Sequence, residues 1–217
     1  MPNSAYMILA CSVAVTVAAS AYGIDHRTLL GAQASRLHLT HPVQSIASLP
    51  PARPHNRQPV SITALERRAA VAELRSKHIG LPIKNANVEK MKGSFYELRG
   101  AEMHEAVDIL QPRNTPVLAV ENGVVAKLFT SRFGGLTIYE FDPTKKYVYY
   151  YAHLQKYADD IHDGDVLKKG QVIGFVGTSG NAPPNCPHLH FSIALLGKDA
   201  KWWQAAAVDP YEVFSGR

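Results

Sequence analysis

Beyond Lys92 the chain breaks into short apolar-rich runs separated by turn residues: "PVLAVENGVVAKLFTS", "GGLTIYEFDPTKKYVYYYAHL", "DGDVLKKGQVIGFVGTSG" and "HLHFSIAL". This spacing predicts a mainly β, antiparallel domain, a twisted sheet folded into a sandwich or partly open barrel with no room for a β-α-β unit. Asn122-Gly123 reads as a tight hairpin turn, and Asp142-Pro143 with Lys145-Lys146 as a second exposed turn. In "YVYYYAHL", a regular strand would put Tyr149, Tyr151 and His153 on one face and Val148, Tyr150, Ala152 and Leu154 on the other.

Upstream the period changes. "TALERRAAVAELRSKHIG" sets Thr63 three residues before Glu66, a capping box, and predicts a helix from about Ala64 to His78 with Gly80 as its stop. Leu65, Ala69 and Ala72 would share its packing face, and Glu73 with Lys77 would form an i,i+4 pair. From Asp25 to Gln58 the chain is polar and proline-punctuated, a linker whose His26, His38, His41 and His55 lack metal-type spacing. The apolar stretch "AYMILACSVAVTVAASAYG" contains Ala19-Ser20-Ala21, a signal-peptidase pattern. It is also long enough for an uncleaved anchor, which would tether the chain to a membrane. The organisation is therefore a signal peptide (or anchor) over 1–21, a linker over 22–62, a helix with connecting segment over 63–91, and the β domain over 92–217.

Composition narrows the classes. A length of 217 residues, 46% hydrophobic and 19% charged, suits one well-cored domain with a tail and excludes wholesale disorder and a multi-span membrane protein. No charged residue precedes Asp25, so loss of the leader would leave the net charge of +5 unchanged. Such a balance suits a polyanion, but no Lys/Arg block or glycine-rich aromatic strand motif is present, and no nucleic-acid partner is expected. The only cysteines are Cys11 and Cys186, and Cys11 lies in the leader, so the mature chain forms no internal disulfide. Its core, or a metal, must supply the stability.

Three segments carry chemistry. In "HLHF", His188 and His190 are two apart and stand on one face of a strand, where neutral imidazoles offer lone pairs to a metal or else pack in a core. In "MHEAVDIL", Asp108 is flanked by Val107, Ile109 and Leu110; a carboxylate there requires a cation or metal partner, and His104 lies four residues before it. His153 closes the aromatic run, as a rim histidine or a member of the same site. Two His and one Asp meet the count of a catalytic zinc, which takes three protein ligands and keeps its fourth position open.

The segments HxxxD at His104 and Asp108, YAHL at Tyr151 to Leu154 and HLHF at His188 to Phe191, in this order, resemble those of the LytM/lysostaphin family of zinc metallopeptidases. The resemblance extends over about Lys92 to Leu196 and includes "NTPVLAVENGVV" and "GDVLKKGQVIGFVGTSG". It implies one zinc ion per chain held by His104, Asp108 and His190, His153 and His188 as the catalytic pair, and hydrolysis of peptide bonds in bacterial peptidoglycan. It also implies an exported protein of the periplasm or cell envelope. Some family members that have lost ligands bind the wall or activate other wall hydrolases, and that is the alternative function.

The chain departs from the family pattern in three places. Ser192 stands where an acidic residue often follows HLHF, Ala106 replaces a usual glycine, and the longer loop "NAPPNCP" precedes His188. Cys186 in that loop reads as a free thiol rather than a further zinc ligand. Trp202 and Trp203 would either line a peptide or glycan surface or pack the C-terminal segment. No substrate-binding residue, oligomeric state or particular scissile bond is encoded in a motif.

Overall fold

The computed structural model describes residues 61–216, so the expected leader and most of the expected linker lie outside the described residues. Helix α1 (Ala64–Ser76) begins on the expected capping box: the Thr63 hydroxyl accepts from the Glu66 amide at 3.2 Å, and the Glu66 carboxylate accepts from the Thr63 amide at 2.7 Å. It stops at Ser76 because His78 already adopts a left-handed φ of 52°, ahead of Gly80. Among the described residues, no helix is long and apolar enough to cross a membrane.

Eleven strands follow: β1 (Leu98–Arg99), β2 (Glu102–Met103), β3 (Val107–Leu110), β4 (Pro116–Leu118), β5 (Gly123–Ser131), β6 (Gly135–Phe141), β7 (Tyr147–Tyr157), β8 (Val166–Leu167), β9 (Val172–Val176), β10 (His188–Leu196) and β11 (Ala205–Val208), before a last helix, α2 (Pro210–Phe214). The first two form a small ribbon. The other nine make one antiparallel sheet in the order β11-β10-β7-β6-β5-β8, with β3 on β10, and β9 bridging β4 to the end of β7. The ordered path ends on β11 and β8 and does not close into a barrel. The Asp142-Pro143 turn joins β6 to β7 as expected, and the Asp142 carboxylate accepts from the Lys146 and Tyr147 amides, both at 2.7 Å. Asn122-Gly123 makes no hairpin: β4 pairs with β9, and Gly123 opens β5 against β6 and β8.

Alternation along the strands sorts the core. Leu189, Phe191 and Ile193 of β10 and Tyr147, Tyr149 and Tyr151 of β7 all point to one fully buried face. Helix α1 covers part of that core with Ala70, Val71 and Leu74, not with the Leu65, Ala69 and Ala72 face; Leu65 is 78% exposed. The reason lies in the tyrosines. A buried phenol must find an acceptor, and Tyr147 donates to Glu73 at 3.0 Å, Tyr149 to Glu121 at 2.6 Å and Tyr151 to Glu140 at 2.5 Å. Lys77 reaches Asp142 at 2.8 Å and Glu121 at 3.3 Å. Glu73 and Lys77, expected to pair with each other along the helix, are instead drawn onto the sheet, and this rotates the buried face.

The innermost member of this network is Glu140. It is fully buried, its Oε1 has no hydrogen-bond partner, and burial pushes its carboxyl up to about 8. The folded chain therefore keeps a proton that the unfolded chain releases near the ordinary value of 4.5. The stability that this proton contributes is fully present below that value and is lost as pH climbs toward about 8. Glu140→Gln cannot ionise. Urea denaturation should show stability falling less steeply for the variant than for the wild type between about pH 5 and about pH 8, the gap reaching a few kcal/mol in order of magnitude. Parallel curves would contradict the buried proton.

Candidate metal centre

The antiparallel register of β3 on β10 sets His190 opposite Asp108 and Leu189 opposite Ile109. Leu189 and Ile109 enter the core, so Asp108 and His190 must emerge together on the other face. His104 reaches them from outside the sheet. Its amide donates to Glu97 at 2.8 Å, and the left-handed Glu105 (φ 52°) turns the chain into β3. Its imidazole is anchored at the back, where Nδ1 lies 3.0 Å from the Ser94 carbonyl. A carbonyl can only accept, so Nδ1 carries the proton and Nε2 is left with a lone pair facing the site.

Three donor atoms converge there. His104 Nε2 and His190 Nδ1 are 3.0 Å apart, His190 Nδ1 and Asp108 Oδ1 are 3.1 Å apart, and His104 Nε2 and Asp108 Oδ1 are 3.2 Å apart. Zinc bonds of about 2.0–2.2 Å in a tetrahedron imply ligand separations of about 3.4 Å, so the triangle fits that ion with an adjustment of a few tenths of an ångström. The group could hold a metal. Burial alone would raise the Asp108 carboxyl, but the facing His104 and His190 imidazoles outweigh it and hold Asp108 well below the usual carboxylate range. Burial pushes His190 down, against the pull of Asp108. An ionised carboxylate beside a His190 imidazole that resists protonation is the charge state a divalent cation requires.

His153 and His188 flank the triangle. Their ring centroids are 4.8 Å apart, His153 lies 5.6 Å from His190, and His188 Nε2 lies 3.8 Å from Asp108 Oδ1. His153 does not share the face of Tyr149 and Tyr151, as a regular strand would have it. Between Tyr151 and Leu154 the chain inserts an extra residue relative to β6, and His153 takes a left-handed φ of 60°. This bulge turns the imidazole out of the core face and into the site.

The flanking rings are held as His104 is. His153 Nδ1 donates to the Ser179 carbonyl at 2.8 Å, and His188 Nδ1 donates to the Cys186 carbonyl at 2.8 Å. Burial lowers His153 to about 4. At neutral pH it is therefore uncharged, with its lone pair on Nε2. Ser179 is fixed in turn, its hydroxyl donating to Leu154 at 2.7 Å and accepting from the Leu136 amide at 2.9 Å. The backbones there nearly touch: a Cβ on Gly180 would stand 2.2 Å from the Phe133 carbonyl oxygen, so only glycine fits.

Sequence reasoning missed Ser94, Ser179 and the Cys186 carbonyl, and it missed Arg99. The Arg99 guanidinium donates to Asp108 Oδ2 at 2.7 Å, on the side away from the triangle, and so leaves Oδ1 to the site. Cys186 contributes its carbonyl, not its thiol. The Trp202 ring packs at a tilt on Tyr139 at 4.4 Å and edge-on to Trp203 at 5.1 Å, with Tyr150 between Tyr139 and His190 at 4.6 and 5.9 Å. Trp202 thus packs on the sheet, while Trp203 keeps 39% of its surface exposed.

With this geometry in hand, comparison with known proteins gives a consistent answer. The chain is 37% identical over 117 residues to the L-Ala–D-Glu endopeptidase of Bacillus subtilis (strain 168), covering 52% of this chain and 34% of that protein. It is 36% identical over 92 residues to lysostaphin of Staphylococcus simulans, covering 41% and 17%. It is 33% identical over 94 residues to peptidoglycan DD-endopeptidase ShyC of Vibrio cholerae, covering 43% and 21%. The chain thus spans only a minor part of the length of these relatives. The solved structure of S. simulans lysostaphin aligns at a TM-score of 0.50 with 26% identity, over 64% of this chain and 54% of that one. A family model described as Peptidase family M23 matches residues 102–210. That match takes in every side chain of the converging group and both flanking histidines, and the chain belongs to peptidase family M23.

Proposed function

We propose that this chain is a zinc-dependent endopeptidase that hydrolyses peptide bonds in bacterial peptidoglycan, with His104, Asp108 and His190 holding the metal and His153 and His188 handling the proton. The observation that carries the reading is the donor triangle with separations of 3.0–3.2 Å, flanked by two imidazoles whose Nδ1 protons are committed to carbonyls. When bound, zinc supplies Lewis acidity, lowering the pKa of water to about 7 and polarising a carbonyl. His153, neutral by burial, offers Nε2 as the base that takes the proton from attacking water. His188 stands beside it and, when protonated on Nε2, donates to the carbonyl oxygen on which charge develops. The proton then returns from imidazole to the leaving amine nitrogen.

The substrate class rests on the relatives, whose names specify different bonds, L-Ala–D-Glu in one and a DD bond in another. It therefore extends to the wall peptide and no further. A net charge of +5 suits a polymer that bears carboxylates, and the leader pattern over 1–21 suits export to the cell envelope. The full set of five side chains favours an enzyme over a wall-binding or activating module.

Metal analysis of the purified protein should give about one zinc per chain, and a chelator should abolish release of fragments from purified sacculi. His190→Ala should lose the metal. His153→Ala should keep it while cleavage falls by about 100- to 10,000-fold. Cleavage that survives chelation, or a His153→Ala variant of full activity, would contradict the mechanism.

A further inference from the structure

The two flanking imidazoles take their orientation from carbonyls that lie on one irregular segment, 178–187, between β9 and β10. Its ends are pinned where Gly177 bridges to His188. Inside it, the Asn181 amide donates to the Phe133 carbonyl at 2.9 Å, and the Cys186 amide closes a turn onto Pro183 at 3.0 Å. The turn holds Cys186 relative to Pro183, not relative to the rest of the domain.

That connection comes from Arg113, on the turn between β3 and β4. Its Nη1 donates to Gln155 Oε1 at 2.8 Å, and its Nη2 donates to Thr178 Oγ1 at 2.6 Å and to the Pro184 carbonyl at 2.9 Å. Each acceptor lies next to the machinery. Gln155 is two residues after His153, Thr178 precedes Ser179, and Pro184 is two residues before Cys186. The turn that carries Arg113 is itself fixed, with the Asn114 amide on Val176 at 2.8 Å and the Val176 amide on Thr115 at 2.9 Å.

We infer that Arg113 is a positioning residue for the His153 and His188 pair, a single guanidinium that sets both orienting carbonyls by clamping the segment that bears them. A planar fork of donors can serve three acceptors at fixed angles, whereas a lysine ammonium on a flexible stem cannot hold the same geometry. The acceptors of Arg113 include none of the three atoms of the donor triangle, so metal binding should not depend on it. The inference rests on the proposed endopeptidase mechanism for its kinetic reading, but not for its spectroscopic one.

The test uses the zinc-loaded protein and soluble cross-linked muropeptides. Arg113→Ala should retain one zinc per chain, lower kcat by about 10- to 100-fold and leave KM within about twofold, because misplacing a catalytic group slows the chemical step. Guanidinium ion at tens of millimolar should restore part of kcat, and Arg113→Lys should not behave as wild type. Thr178→Val, which deletes one acceptor at nearly constant size, should move kcat in the same direction by less, and it decides the matter if Arg113→Ala fails to fold. Nitrogen-15 spectra of the histidine rings should show the Nδ1–H protons of His153 and His188 exchanging faster with solvent in Arg113→Ala. An unchanged kcat, an effect on KM alone, or unaltered ring exchange overturns the inference. Zinc-loaded wild type that cleaves no muropeptide would instead sink the proposed function, and the ring exchange would still decide the role of Arg113.

Discussion

The site depends on the pairing of β10 with β3 on one edge and β7 on the other. His190 faces Asp108 across one seam and Ala152 across the other, while Leu189 and Phe191 alternate into the core. A slip of one residue in either seam would exchange the faces and send the imidazoles into the apolar interior. Burial of Leu189, Phe191, Ile193 and the β7 tyrosines therefore does more than stabilise the sheet: it holds the register that brings carboxylate and imidazole together. Because the buried tyrosines in turn need acceptors from α1 and the β6 strand, the helix ahead of the peptidase-family match is bound into the same core.

Around that seam the backbone supplies the finer control. The Ser94, Ser179 and Cys186 carbonyls each take an Nδ1 proton from a histidine and so fix both tautomer and ring plane. His190 is the exception and presents Nδ1 itself to Asp108. Desolvation then keeps His153 and His190 from protonating, while Asp108, facing two imidazoles and accepting from Arg99, stays ionised. This charge arrangement suits a cation and would limit the reorganisation that binding one requires.

Strand-period arguments recovered what is local. The shared face of His188 and His190 follows from their spacing alone, and Asp108 stood out because a carboxylate among Val107, Ile109 and Leu110 needs a partner. The face of His153 was not legible, since the bulge that turns it depends on pairing with β6 and not on its own neighbours. The orienting carbonyls belong to the backbone and leave no residue signature. Arg99 and Arg113 belong to no motif, and only the fold brings distant acceptors to them. The packing face of α1 was misjudged because Leu65 suggested it, whereas tyrosine hydroxyls on the sheet captured Glu73 and an aspartate captured Lys77.

X-ray absorption at the zinc edge of the loaded protein reads the central claim directly, because it reports the atoms bonded to the ion. The account predicts a shell of nitrogen and oxygen only, from imidazole, carboxylate and water, at about 2.0–2.2 Å, that collapses in Asp108→Ala. A sulfur scatterer at about 2.3 Å, which would bring in the Cys186 thiol, or a shell indifferent to Asp108, would contradict it.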